Sequence, residues 1–140
     1  MDDISQILSS LLEAREACGP VSPEQIDAAQ HQLGLIFPPS YRLFLREFGA
    51  VLEIAGLPEP SEPPMWPDML HSTLMYRRHD ALPKDSVYIS TDGTDLSYFL
   101  KCSRTDPTFE GEVIEWGPDH DGGIISAKSF ASFVEHWLDR

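Results

Sequence analysis

Apolar residues recur at helical spacing in four parts of this chain, and a fifth part alternates. Ile4, Ile7, Leu8, Leu11 and Leu12 predict a helix over residues 3–17, with Asp2 and Asp3 placed to favour its N-terminus and Gly19-Pro20 to stop it. A second helix begins after Ser22. Pro23 suits a first helical position, and Gln25 stands at the capping-box distance from Ser22. Ile26, Ala29 and Leu33 share one side, and Gly34 is a natural stop. Leu35-Ile36-Phe37 then forms an apolar link. Pro38-Pro39 makes the link extended and opens a third helix, in which Tyr41, Phe44, Leu45 and Phe48 fall at i, i+3, i+4 and i+7. Gly49 ends it. At the far end of the chain, Phe130, Phe133, Val134, Trp137 and Leu138 repeat in the same way. They predict a helix over 128–139, capped by Ser126 or Ser129.

The middle of the chain reads differently. Val51-Leu52-Glu53-Ile54 predicts a short strand. Residues 57–64 hold four prolines and two glutamates, which exclude a helix and a central strand and leave an exposed loop. Asp68 can cap a helix carrying Met69, Leu70, Leu74 and Tyr76, with a strand over 73–76 as the competing reading. Val87-Tyr88-Ile89 alternates as a strand. Asp92-Gly93 marks a hairpin, and Leu96 to Lys101 is the partner strand, with Leu96, Tyr98 and Leu100 on one face and Ser97, Phe99 and Lys101 on the other. After a loop over 104–111, residues 112–116 predict a third strand. A Gly-rich turn over 117–123 leads to a short strand at Ile124 and Ile125.

Ile26, the following small and polar residues, Leu33-Gly34, an apolar pair, Pro38, and Tyr41-x-x-Phe44-Leu45 before Gly49 resemble the opening signature of the SUKH superfamily. That group includes the yeast Smi/Knr cell-wall regulators and many bacterial immunity proteins. The pattern usually carries Glu where this chain has Gln30, and Leu-Pro where it has Phe37-Pro38. The later strand order and the closing Phe-x-x-Phe helix extend the resemblance to about Leu138. It implies an α+β fold, an antiparallel twisted sheet with helices packed around it. Short connections between successive strands favour an antiparallel sheet independently, of about four to six strands. One domain over 1–140 is expected, with an N-terminal helix (1–20), a helix pair (22–49), a sheet region (50–126) and a C-terminal helix (127–140).

Charge changes the picture most. The net charge of −13 argues against nucleic acid and anionic membrane as partners, which need a basic face. No run of eighteen apolar residues occurs, so no membrane span is expected. The acidic start Met1-Asp2-Asp3 is not that of a secretory signal. Cys18 and Cys102 are far apart and read as free thiols of a reducing, cytoplasmic compartment.

Catalytic and metal signals are weak. Asp119-His120-Asp121 carries groups a metal uses, but in a Gly-rich segment it reads as turn chemistry. His71 and His79 lack helical pair spacing, and no P-loop, G-x-S-x-G or HExxH occurs. Glu112 and Glu115 are expected on opposite faces of one strand. No enzyme, cofactor or metal site is expected.

Acid distribution says more. Between Thr105 and Ala127 there is no Lys or Arg, and from Glu47 to Tyr76 again none. These stretches suit a negative surface that meets a basic partner, and equally a solvated face that repels self-association. The expected function is a non-catalytic protein-binding domain, an immunity protein that the resemblance implies would bind and block a toxin such as a nuclease. A regulatory or scaffold module is the first alternative, and a small enzyme or metal-binding protein the second. Expected contacts are the aromatics Trp66, Tyr98 and Trp116 as anchors, and Asp92, Asp95, Glu112, Glu115, Asp119 and Asp121 as steering and pairing acids. All three aromatics also have a core reading. A monomer or weak homodimer is expected.

Overall fold

The computed structural model describes Gln6 and residues 16–59, 65–79, 82–93, 95–117 and 123–138. Among them are four helices and a four-stranded sheet, an α+β arrangement. Helix α1 (Pro23–Leu33) starts with the full capping box. Ser22 Oγ accepts from the Gln25 backbone at 3.2 Å, and the Gln25 side chain accepts from the Ser22 backbone at 3.1 Å. It ends at Gly34, whose left-handed backbone closes it. At the corner, the Phe37 backbone donates to Gln30 Oε1 at 2.9 Å. A glutamate there would offer the same acceptor, so the departure from the family pattern at Gln30 keeps the contact.

Helix α2 (Pro39–Glu47) buries Tyr41, Phe44 and Leu45, with Phe48 half-buried behind it. The sequence offers no side-chain cap at Pro38, and the protein supplies one from elsewhere. Glu110 accepts from both the backbone and the hydroxyl of Ser40. Helix α3 (Met69–Arg78) is capped by Asp68, which accepts from the His71 backbone at 3.0 Å. The helical reading of this stretch therefore wins over the strand. Helix α4 (Phe130–Leu138) begins after Ser129, whose hydroxyl accepts from the Ser132 backbone.

Strands β1 (Ser86–Thr91), β2 (Ser97–Lys101), β3 (Val113–Trp116) and β4 (Ile124–Ala127) form an antiparallel meander in chain order. Both faces of its first half are covered. On one side Tyr98 packs on Phe133 of α4, with ring centres 5.3 Å apart, and Val87, Ile89, Leu100 and Val113 join the main core. On the other, Tyr88 and Phe99 meet Tyr76 of α3. The predicted alternation in β2 holds, but each side faces a helix, so four of its five residues are buried.

One local expectation is corrected and a second is trimmed at its end. Val51–Ile54 is not a strand but a narrow turn, closed by backbone hydrogen bonds in both directions between Val51 and Ile54. Leu52 projects from it and is 67% exposed. The turn is needed because the chain must double back here, and Gly56 must pass so close to Gly49 that a Cβ on it would lie 1.6 Å from the Gly49 carbonyl oxygen. The expected helix over 3–17 is helical at Gln6, and the rest of it lies almost wholly outside the described residues. By Ala17 the chain is extended, bridging to Val51.

Candidate protein-binding surface

In an antiparallel meander the first and third connections lie at the same end of the sheet. Here that end gathers the β1–β2 hairpin and the last residues of β3. Thr91 Oγ1 donates to the Leu96 carbonyl at 2.8 Å and accepts from the Gly93 backbone, holding the hairpin tip. Asp92 and Asp95 are exposed on it. Ser97 pairs with Trp116, and Tyr98 with Glu115, so β3 delivers an acid and an indole beside the hairpin. Gly123, at φ 82°, lets Trp116 lie close, for a Cβ there would meet its ring at 3.0 Å.

Next to the hairpin is a half-open cleft of about 490 Å³ along the outer edge of β1. Leu52, Pro67 and half-buried Tyr88 are its accessible apolar residues, buried Ala55 and Ile89 close it from the core side, and Glu53 and Asp92 also line it. Its geometry is held from behind. The Ala55 backbone donates to the Ile89 carbonyl at 2.8 Å, and the Ser90 hydroxyl donates to the Glu53 carbonyl at 2.7 Å. The bond to Ile89 occupies part of the β1 edge that would otherwise be open to a further strand.

The sequence-derived contact residues divide accordingly. Asp92, Asp95, Glu115 and Trp116 come together at this end, and half-buried Trp66 directly precedes Pro67 in the cleft wall. Tyr98 takes its core reading. It is 5% exposed, and its hydroxyl lies 3.4 Å from Glu115 Oε1. Glu112 is exposed at the opposite end, where its carbonyl accepts from the Lys101 backbone. Asp119 and Asp121 lie outside the described residues. Leu52 and Glu53 were missed because an apolar run broken by one acid reads as a strand. Ile124 and Ile125 are 51% and 57% exposed on β4, which a strand pattern alone does not indicate.

Burial, not activation, dominates the thiols and buried phenols. It raises the Cys102 and Cys18 thiols and pushes the Tyr41 phenol well up. None of these is the lowered pKa of a nucleophile. Both cysteines are free. Among the described residues, no three His, Cys, Asp or Glu side chains stand together as a metal site. No helix among them is long and apolar enough to cross a membrane.

A family model, SUKH_5, described as SMI1-KNR4 cell-wall, matches residues 2–139. The chain belongs to that family. A search among curated proteins finds no match. Membership supports a protein-interaction or immunity-type role in general terms.

Proposed function

We propose that this protein is a non-catalytic binding domain that acts as an immunity protein, seating a basic toxin domain such as a nuclease against the hairpin end of its sheet. The observation that carries this reading is the cleft beside β1, which exposed Leu52 lines together with Pro67, Tyr88 and the acids Glu53 and Asp92. Apolar contact there supplies affinity, while Asp92, Asp95 and Glu115 supply attraction to Lys and Arg across the interface. A chain of net charge −13 steers such a partner over a long range at low salt. The working compartment is cytoplasmic and the protein works as a monomer or weak homodimer.

The test is co-purification with a basic toxin domain encoded beside this gene, followed by association rates measured across a salt series. Rates that fall steeply with salt, together with loss of toxin activity in the complex, support the reading. Absence of any toxin partner, or binding indifferent to salt and to changes at Asp92 and Leu52, overturns it. The family description, with its reference to the cell wall, favours a second reading: a regulatory module that uses the same surface for an endogenous partner.

A further inference from the structure

This chain has ten Lys and Arg residues, and three of them line one cleft. Arg77 at the end of α3, Lys84 before β1 and Arg104 after β2 surround about 460 Å³. The cleft lies at the opposite end of β1 from the hairpin, since Ser86 in its wall pairs with Lys101. Such a concentration of cations in a strongly acidic protein needs a local reason.

The wall is built rather than incidental. Asp85 has φ 55°, the only non-glycine in the left-handed region among the described residues. That conformation costs energy in a residue with a side chain, and it persists only where its surroundings hold it. Two contacts do so. The Asp85 carbonyl accepts from the Cys102 backbone at 2.8 Å, and its carboxylate accepts from Arg104 Nε at 2.9 Å. Held by Nε, the Arg104 fork keeps its terminal nitrogens for another acceptor. Among the described residues, Arg77 and Lys84 have no carboxylate within ion-pair distance. Among the described lining residues, three cations and one carboxylate leave two positive charges. The α1 C-terminus also reaches the wall, but the carbonyls of Gln30 and His31 are already taken by the Gly34 and Leu35 backbones, which blunts its negative end.

We propose that this cleft binds a small phosphomonoester. A phosphate group of about two negative charges at neutral pH matches the charge left over. Arg104 meets it with a planar fork and Lys84 as a point charge, while half-buried Leu82 and Pro83 offer an apolar bed for the organic body. The volume falls within the range of small-ligand sites. This site is separate from the proposed protein-binding end, and its test needs no toxin.

The experiment titrates isotope-labelled protein with phenyl phosphate, inorganic phosphate and phenylacetate at constant ionic strength, following amide NMR signals. Saturable shifts at Gly34, Leu35, Asp85 and Ser86 with phenyl phosphate are expected, with weaker binding of inorganic phosphate. Lys84→Gln and Arg77→Gln should each weaken binding about tenfold, the size of one lost charge-assisted hydrogen bond. Lys84 is exposed, so its replacement tests the site without disturbing the fold. Glu135→Gln, exposed on α4 and outside both clefts, should leave binding unchanged. Shifts that do not saturate, or that are the same in Lys84→Gln and Arg77→Gln, overturn the proposal. Phenylacetate binding as tightly as phenyl phosphate also overturns it, assigning the cleft to carboxylates.

Discussion

Tyr41 donates its hydroxyl to the Ala55 carbonyl at 2.6 Å, deep in the core, and so ties helix α2 to the turn that walls the proposed binding cleft. The same ring packs edge-on against Phe37 and Phe130, so one side chain joins the signature helix pair, the turn and the closing helix. Tyr41→Phe keeps the packing and leaves the Ala55 carbonyl without this donor. The expected loss is about 1–2 kcal/mol of unfolding free energy, read from urea denaturation. An unchanged midpoint would show that the bond carries no net stability.

Glu110 caps α2 from seventy positions along the chain, accepting from the Ser40 backbone and hydroxyl. It places a carboxylate at a helix N-terminus that has no cap of its own. Glu110→Gln keeps one acceptor and removes the charge, and Glu110→Ala removes both. Losses of roughly 0.5 and roughly 1.5 kcal/mol are expected in denaturation experiments. Equal effects of the two changes would show that charge, not the acceptor, is what matters.

Burial raises the Cys102 thiol above its ordinary value of 9.0, so the folded chain keeps a proton that the unfolded chain gives up. The stabilisation is therefore complete below the ordinary thiol pKa and is lost as pH rises above it. One such group lowers stability by about 1.4 kcal/mol per pH unit in that window. Denaturation of the wild type and of Cys102→Ala between pH 8 and pH 10 checks this. The alanine variant should start less stable and fall less steeply. Alkylation should also label half-buried Cys18 before buried Cys102.

At the proposed binding end, Asp92→Asn with Asp95→Asn should slow association with a basic partner roughly threefold to tenfold and flatten its salt dependence, as rim charges do. Leu52→Ser should act on dissociation instead, because Leu52 is exposed and offers apolar contact rather than charge. Thermal melting of both variants should remain cooperative, showing that each still folds. If Leu52→Ser and the double acid variant change the same rate constant, the division of labour between anchor and steering charge is wrong.

Local pattern alone was enough for the four described helices and the four strands of the sheet. Ser22-x-x-Gln25, Gly34, the Tyr41/Phe44/Leu45 face, the Asp68 cap and the Asp92-Gly93 hairpin each act within a few residues, so each is legible in order along the chain. Family resemblance rested on the same local features. Val51–Ile54 failed because its apolar residues serve a doubled-back turn whose reason, the passage of Gly56 beside Gly49, is a contact in space.

Burial of Tyr98 depended on α4 arriving over β2, and the separation of Glu112 from Glu115 depended on which end of the meander each occupies. A carboxylate cap for α2, the acidic cleft beside β1 and the cationic cleft beneath it likewise join segments far apart in the chain. Periodicity and capping are interactions between near neighbours, and the amino-acid order determines them directly. Which charges end up sharing a surface is decided only when the sheet registers and the helices pack, because that step alone sets distances between remote residues.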